Sequence, residues 1–235
     1  MSPFTYALLS ALANVAGALA VAGRARRGMQ FMDALIAVAA GFMISVALTQ
    51  LVPEALALGD ASAPVVMLAG YLAVHFTQHT LTTHFHFGEE THKVTTAISV
   101  SALAGLLMHT FVDGVAIAAG FSVGRELGLL VFLAVVLHKL PEGLAIASLF
   151  LAAGQPPQRF VAAAGALGLT TLLGVAATSL VTPLAKHGLP LAAGVTLYVA
   201  ASNLVPEFQS KRGWSLALYF FGGCGLFTLA WKLLS

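Results

Sequence analysis

Two segments of the chain pair a histidine with a carboxylate four residues on: His109 with Asp113 in HTFVDGVAIAAGF (109–121), and His138 with Glu142 in HKLPEGLAIASLF (138–150). Residues four apart on a helix share a face, one turn from each other, so each pair reads as half of a divalent-metal grip. Imidazole nitrogen with carboxylate oxygen is a borderline ligand set that suits Zn, Fe, Mn, Co or Cd, whereas Ca and Mg take all-oxygen shells. Both segments lie deep inside apolar runs, where ionisable side chains are costly and mark function. The plainer alternative is a structural polar knot between helices, which a single histidine would favour. Four such residues repeated at one spacing, with Pro141 among them, favour a functional site.

Those residues need apolar helices to hold them, and the composition supplies these. Of 235 residues 59% are hydrophobic and 9% charged, against about 25% charged in soluble domains, and the mean hydropathy is +0.92. The predicted fold class is all-α: an integral membrane protein of eight transmembrane helices, over 3–23, 31–57, 64–83, 94–121, 127–151, 158–183, 188–208 and 213–234. This predicts a single transmembrane transporter domain over 1–235, with a His-bearing cytoplasmic loop at 84–93. The first apolar stretch lacks a basic n-region and is followed by Arg24, Arg26 and Arg27, so it reads as a retained span. Cys224 is the one cysteine and forms no internal disulfide. At about 1.5 Å per residue, His109 and His138 fall near mid-bilayer. Pro141 deprives the Leu137 carbonyl of its usual donor and predicts a kink. Gly114 and Gly143, each directly after an acid, let helices approach closely.

Arg24, Arg26, Arg27, Lys93, Arg159, Lys211 and Arg212 fall in segments on one side, and Arg125, Lys186 and Lys232 on the other. Positive charge accumulates inside, so both termini are predicted outside. A second repeat, Leu51-Val52-Pro53-Glu54 and Leu204-Val205-Pro206-Glu207, then ends spans on opposite sides. One in-plane two-fold axis accommodates both repeats, relating helices 1–3 to 6–8 and helix 4 to helix 5. Such inverted repeats are a transporter signature, with the binding site near the midplane.

The paired segments resemble the signature of spans 4 and 5 in the ZIP (Zrt- and Irt-like) family of divalent metal transporters, and the likeness extends over the chain. The resemblance implies movement of metal toward the cytoplasm, with His109, Asp113, His138 and Glu142 as ligands of the central site. Met43, in Gly41-Phe-Met43, falls where some family members supply a thioether, although Met in an apolar helix is more often packing. Many relatives carry Asn after the His of span 4, and Asn or Asp after that of span 5, completing a second metal site. Here those positions are Thr110 and Lys139. A protonated lysine donates and repels cations. The expectation is therefore a single-metal site with Lys139 replacing the second metal, paired with Asp113 or Glu142; a proton carrier and a snorkelling residue are the alternatives.

His75 and His79, with His84, His86 and His92 beyond them, form a candidate metal-accepting exit loop, equally readable as a solvated segment. His187 reads as a residue of a short outer loop. Gln50, Asn203 and Glu207 are weaker candidates for the path. The rival reading is an intramembrane zinc-dependent hydrolase, but neither HExxH nor G-x-S-x-G supports it, so no enzyme is expected. No prosthetic group is expected either: Zn2+ or a similar divalent metal is the substrate. The expected partners are that ion and the lipid bilayer, a homodimer is compatible with the chain, and nucleic acid is excluded. Short loops suggest a compact prokaryotic member in the bacterial inner membrane, using alternating access.

Overall fold

The structure is a computed structural model and describes residues 2–22, 29–58, 61–78, 95–206 and 214–235. Among the described residues every regular element is helical, as a chain this apolar requires. A backbone without access to water must satisfy its hydrogen bonds within the segment. The elements are α1 (Pro3–Ala22), α2 (Met29–Val46), a π-turn π1 (Ala47–Leu51), α3 (Val52–Leu58), α4 (Ala63–Phe76), α5 (Thr96–Val123), α6 (Arg125–Ala152), α7 (Pro157–Leu180), α8 (Thr182–Tyr198), a second π-turn π2 (Val199–Leu204) and α9 (Trp214–Leu234).

Among the described residues, six stretches are long and apolar enough to cross a membrane: Pro3–Val21, Asp33–Leu58, Thr96–Val123, Arg125–Ala152, Pro157–Leu180 and Trp214–Leu234. The other two of the eight expected spans are helical but shorter. The described part of the third is α4, with 14 residues. The seventh is α8, with 17 residues, continuing into π2. Its start differs from expectation: the outer loop expected around His187 is helical, and His187 lies within α8. Lys186, His187, Gly188 and Pro190 lower the apolarity there without ending the helix. The loop at 84–93 lies outside the described residues, as does Glu207.

Both π-turns precede a proline. The Val52 N–H bonds the Ala47 carbonyl and the Val205 N–H bonds the Ala200 carbonyl, each five residues back. A proline ring clashes with the carbonyl four residues before it and offers no donor; widening the preceding turn relieves that clash. Pro141 acts differently. It is buried within α6, which continues helical through it to Ala152.

Around the mid-molecule, α1 packs on α6 and α7, α5 packs on α6 and α7, α2 packs on α9, and α4 packs on α8. These contacts are close because glycines stand in them. A Cβ on Gly143 would collide with the Asn14 carbonyl oxygen, and one on Gly17 with that of Leu140. The same reciprocal arrangement joins α5 to α7, where Gly114 faces the Thr171 carbonyl and Gly174 that of Phe111. Without a hydrophobic drive between helices in lipid, such backbone approach maximises packing.

Candidate metal centre

α5 and α6 are antiparallel neighbours of 28 residues each, joined by Gly124 alone. His109 and His138 both stand at the middle of their helices. Helical spacing then places Asp113 and Glu142 one turn further on, and the hairpin turns the two pairs toward each other. One ligand atom from each of His109, Asp113, His138 and Glu142 lies within 4.8 Å of all the others, and all four residues are buried. His109 Nε2 is 3.3 Å from Asp113 Oδ2 and 3.8 Å from Glu142 Oε2. His138 Nε2 is 3.3 Å from the same Asp113 oxygen.

The orientation of His138 is informative. Its Nδ1 is 2.9 Å from the Ala134 carbonyl, which only accepts, so Nδ1 carries the hydrogen. In the neutral ring Nε2 is then a bare lone pair aimed at a carboxylate oxygen. Two acceptors facing each other call for a positive charge between them, either a proton on Nε2 or a cation that Nε2 ligates while Nδ1 donates. His109 Nδ1 has no hydrogen-bond partner among the described residues.

Lys139 enters the same cluster. It is fully buried at 0% exposure, and its Nζ is 2.7 Å from Asp113 Oδ2 and 2.8 Å from Glu142 Oε2. The two carboxylates thus meet at one ammonium. Thr110, equally buried, turns its hydroxyl to the Leu107 carbonyl of its own helix at 3.0 Å. Asn14 of α1 completes the polar set, donating from Nδ2 to Glu142 Oε1 at 2.9 Å. Sequence reasoning did not single out Asn14. The available signal was a lone amide in the middle of an otherwise apolar span, in SALANVAG.

Met43 is buried in the large apolar cluster. His75 is exposed near the end of α4, its ring edge-on to Tyr198 with centroids 5.8 Å apart. His79, His84, His86 and His92 lie outside the described residues. Gln50 and Asn203 are half-buried in π1 and π2 respectively.

Residues 77–230 match the sequence profile of a family described as ZIP Zinc transporter. Among curated proteins, the chain is 28% identical over 156 residues to zinc transporter ZIP9 of Micropogonias undulatus, covering 61% of this chain and 50% of the relative. It is 33% identical over 132 residues to zinc transporter ZIP13 of Gallus gallus, covering 50% and 35%. With zinc transporter SLC39A7 of Mus musculus it shares 36% over 116 residues, covering 45% and 24%. The chain spans about half the length, or less, of these relatives.

Proposed function

The chain belongs to the ZIP zinc transporter family, whose members are transporters and not enzymes, and from this we propose that it carries a divalent transition metal across the membrane toward the cytoplasm. Zinc is the first candidate, with iron, manganese and cadmium sharing the same ligand preferences. The observation that carries the reading is the convergence of His109, Asp113, His138 and Glu142 in one buried cluster. Ligands at the centre of an apolar bundle replace the hydration shell of a cation that could not otherwise enter.

One metal per site follows from the charges. Two carboxylates and the Lys139 ammonium leave one net negative charge among neutral imidazoles. A single dication brings the cluster to one positive charge and a second would bring it to three, which a buried site disfavours. Lys139 is thus read as the substitute for a second metal. Met43 remains a proposed thioether ligand, and His75 with the loop histidines a proposed exit.

The eight-span inverted repeat is supported by paired packing. α1 on α6 has its counterpart in α5 on α7, α2 on α9 in α4 on α8, and α2 on α6 in α5 on α8. Glycine contacts pair in the same way: Gly41 with Phe220 corresponds to Gly194 with Met67, and Gly223 with Val38 to Gly70 with Leu191. In the proposed cycle the body containing α5 and α6 rocks against the remaining helices and opens the site to each side in turn. The contacts of α1 and α7 with α5 and α6 support counting them in that moving body. The other body then comprises α2, α4, α8 and α9, met where α2 lies on α6 and α8 on α5.

Residues 1–235 act as one transporter domain in this reading. The placement of both termini outside rests on the distribution of basic residues, and the bacterial inner membrane on short loops alone; the matched relatives named above are vertebrate proteins. Exposed Trp214, Leu218, Phe221 and Leu233 of α9 face lipid or, in a homodimer, a second copy. The test is zinc flux into sealed proteoliposomes. Saturable uptake that is lost in both His109→Ala and His138→Ala is expected; uptake that survives both changes would refute the reading.

A further inference from the structure

Glu142 is held at both ends of its carboxylate. Oε2 accepts from Lys139 Nζ at 2.8 Å and faces His109 Nε2 at 3.8 Å, while Oε1 accepts from Asn14 Nδ2 at 2.9 Å. A carboxylate only accepts, so the amide nitrogen of Asn14 must face it and the direction of the amide is determined. The Asn14 oxygen Oδ1 is left buried without a hydrogen-bond partner among the described residues. Asn14 itself is fully buried. An unpaired buried amide oxygen is costly, and an apolar residue of the same shape would avoid that cost, so packing alone does not account for an asparagine here.

The backbone is also arranged for this contact. Gly143 lets the Asn14 carbonyl lie against α6 beside Glu142, and Gly17, one turn along α1, lets in the Leu140 carbonyl. The counterpart of this contact on α7 is Thr171, whose carbonyl lies against Gly114, and it behaves differently. Its hydroxyl bonds the Leu167 carbonyl of its own helix at 3.2 Å. Of the two equivalent helices, then, α1 reaches a carboxylate of the centre with its side chain, and α7 turns its hydroxyl back on itself.

We infer that Asn14 is a positioning residue of the metal centre: it ties Glu142 Oε1 to α1 so that Oε2 is presented to the incoming ion. This rests on the reading of the cluster as the transport site. Partners that orient metal ligands in this way change metal affinity about 10–100-fold when removed.

The experiment measures zinc chloride binding to the purified full chain by equilibrium dialysis, with the thermal stability of the zinc-free protein and the KM and maximal rate of uptake in proteoliposomes. Asn14→Leu removes the donor and the orphaned oxygen while keeping the branched shape of the side chain. A modest loss of zinc-free stability, because Glu142 Oε1 loses its donor, zinc affinity about 10–100-fold weaker and a raised KM are expected. Unchanged affinity in folded Asn14→Leu would overturn the inference, as would lost stability with normal affinity in the folded fraction, which marks a structural role. Should Asn14→Leu not fold, Asn14→Ser is read by the same criteria, since its hydroxyl is too short to span the gap; failure of both to fold also marks a structural role. If wild type and His138→Ala bind zinc alike, the transport-site reading itself fails and this inference with it. If only Asn14→Leu binds like wild type, the transport site stands and this inference alone is lost.

Discussion

Lys139 distinguishes this centre from a symmetric pair of metal grips. Its ammonium takes the position between Asp113 and Glu142 at 2.7 and 2.8 Å, so removing it leaves two buried carboxylates sharing one cavity. Breaking a buried ion pair from one side costs about 3–5 kcal/mol. Lys139→Asn is therefore expected to destabilise the zinc-free protein by about that amount and to recover stability when metal is added. Metal analysis of purified protein should give one tightly bound ion per wild-type chain and two in Lys139→Asn; two tight ions in wild type would contradict the charge argument. The tautomer of His138, with Nδ1 committed to Ala134, predicts that His138→Ala removes metal binding and not only its orientation. Equilibrium dialysis measures that directly.

At the scale of elements, glycine position separates helix contacts that must be close from those that need not be. A methyl at Gly143 meets the Asn14 backbone oxygen, which cannot swing aside as a side chain could. Gly143→Ala is expected to cost about 3 kcal/mol, at the upper end for overpacking, read from thermal unfolding in detergent. Gly165, also on α7 like Gly174 but with nothing within 4 Å of an added methyl, gives the contrast. Gly165→Ala should be neutral or stabilising by about 0.5–1 kcal/mol, since alanine restricts the unfolded chain and favours the helix. The two π-turns belong to this scale as well. Each is explained by the proline just beyond it, at Pro53 and Pro206, and replacing those prolines should allow ordinary α-helix through Gln50 and Asn203.

For the whole molecule, the proposed division into two bodies makes the α5–α8 contact a place that would have to change under the proposed alternating access. A Cβ on Gly188 would lie 3.6 Å from the Ala119 Cβ, within the range of about 3.5–4.5 Å that a disulfide spans. Ala119→Cys with Gly188→Cys, on a Cys224→Ser background that keeps a donor to the Gly41 carbonyl, should stop uptake when oxidised. Reduction should restore it, and zinc binding should persist in both states. Full uptake in the oxidised protein would show that α5 and α8 do not separate in the cycle.

The sequence by itself determined the membrane setting, the helical class and the four central ligand candidates, because each depends on local properties. Apolarity compels internally bonded helices, and a four-residue spacing places His109 with Asp113 and His138 with Glu142 on common faces. Even the mid-helix positions of the histidines followed from counting residues into apolar runs. What chain order could not specify was contact between distant segments. Asn14 and Glu142 are 128 residues apart, and nothing local to either says that they share a hydrogen bond. That Lys139 bridges both carboxylates instead of one, and that Thr110 turns back on its own helix, depended on side-chain direction within the packed hairpin. The helical continuation through His187 likewise came from packing, since Lys186, Gly188 and Pro190 read locally as a loop. Spacing along a helix is inherited from backbone geometry, but the choice of partner across helices is settled only when glycines such as Gly143 and Gly17 let particular backbones meet.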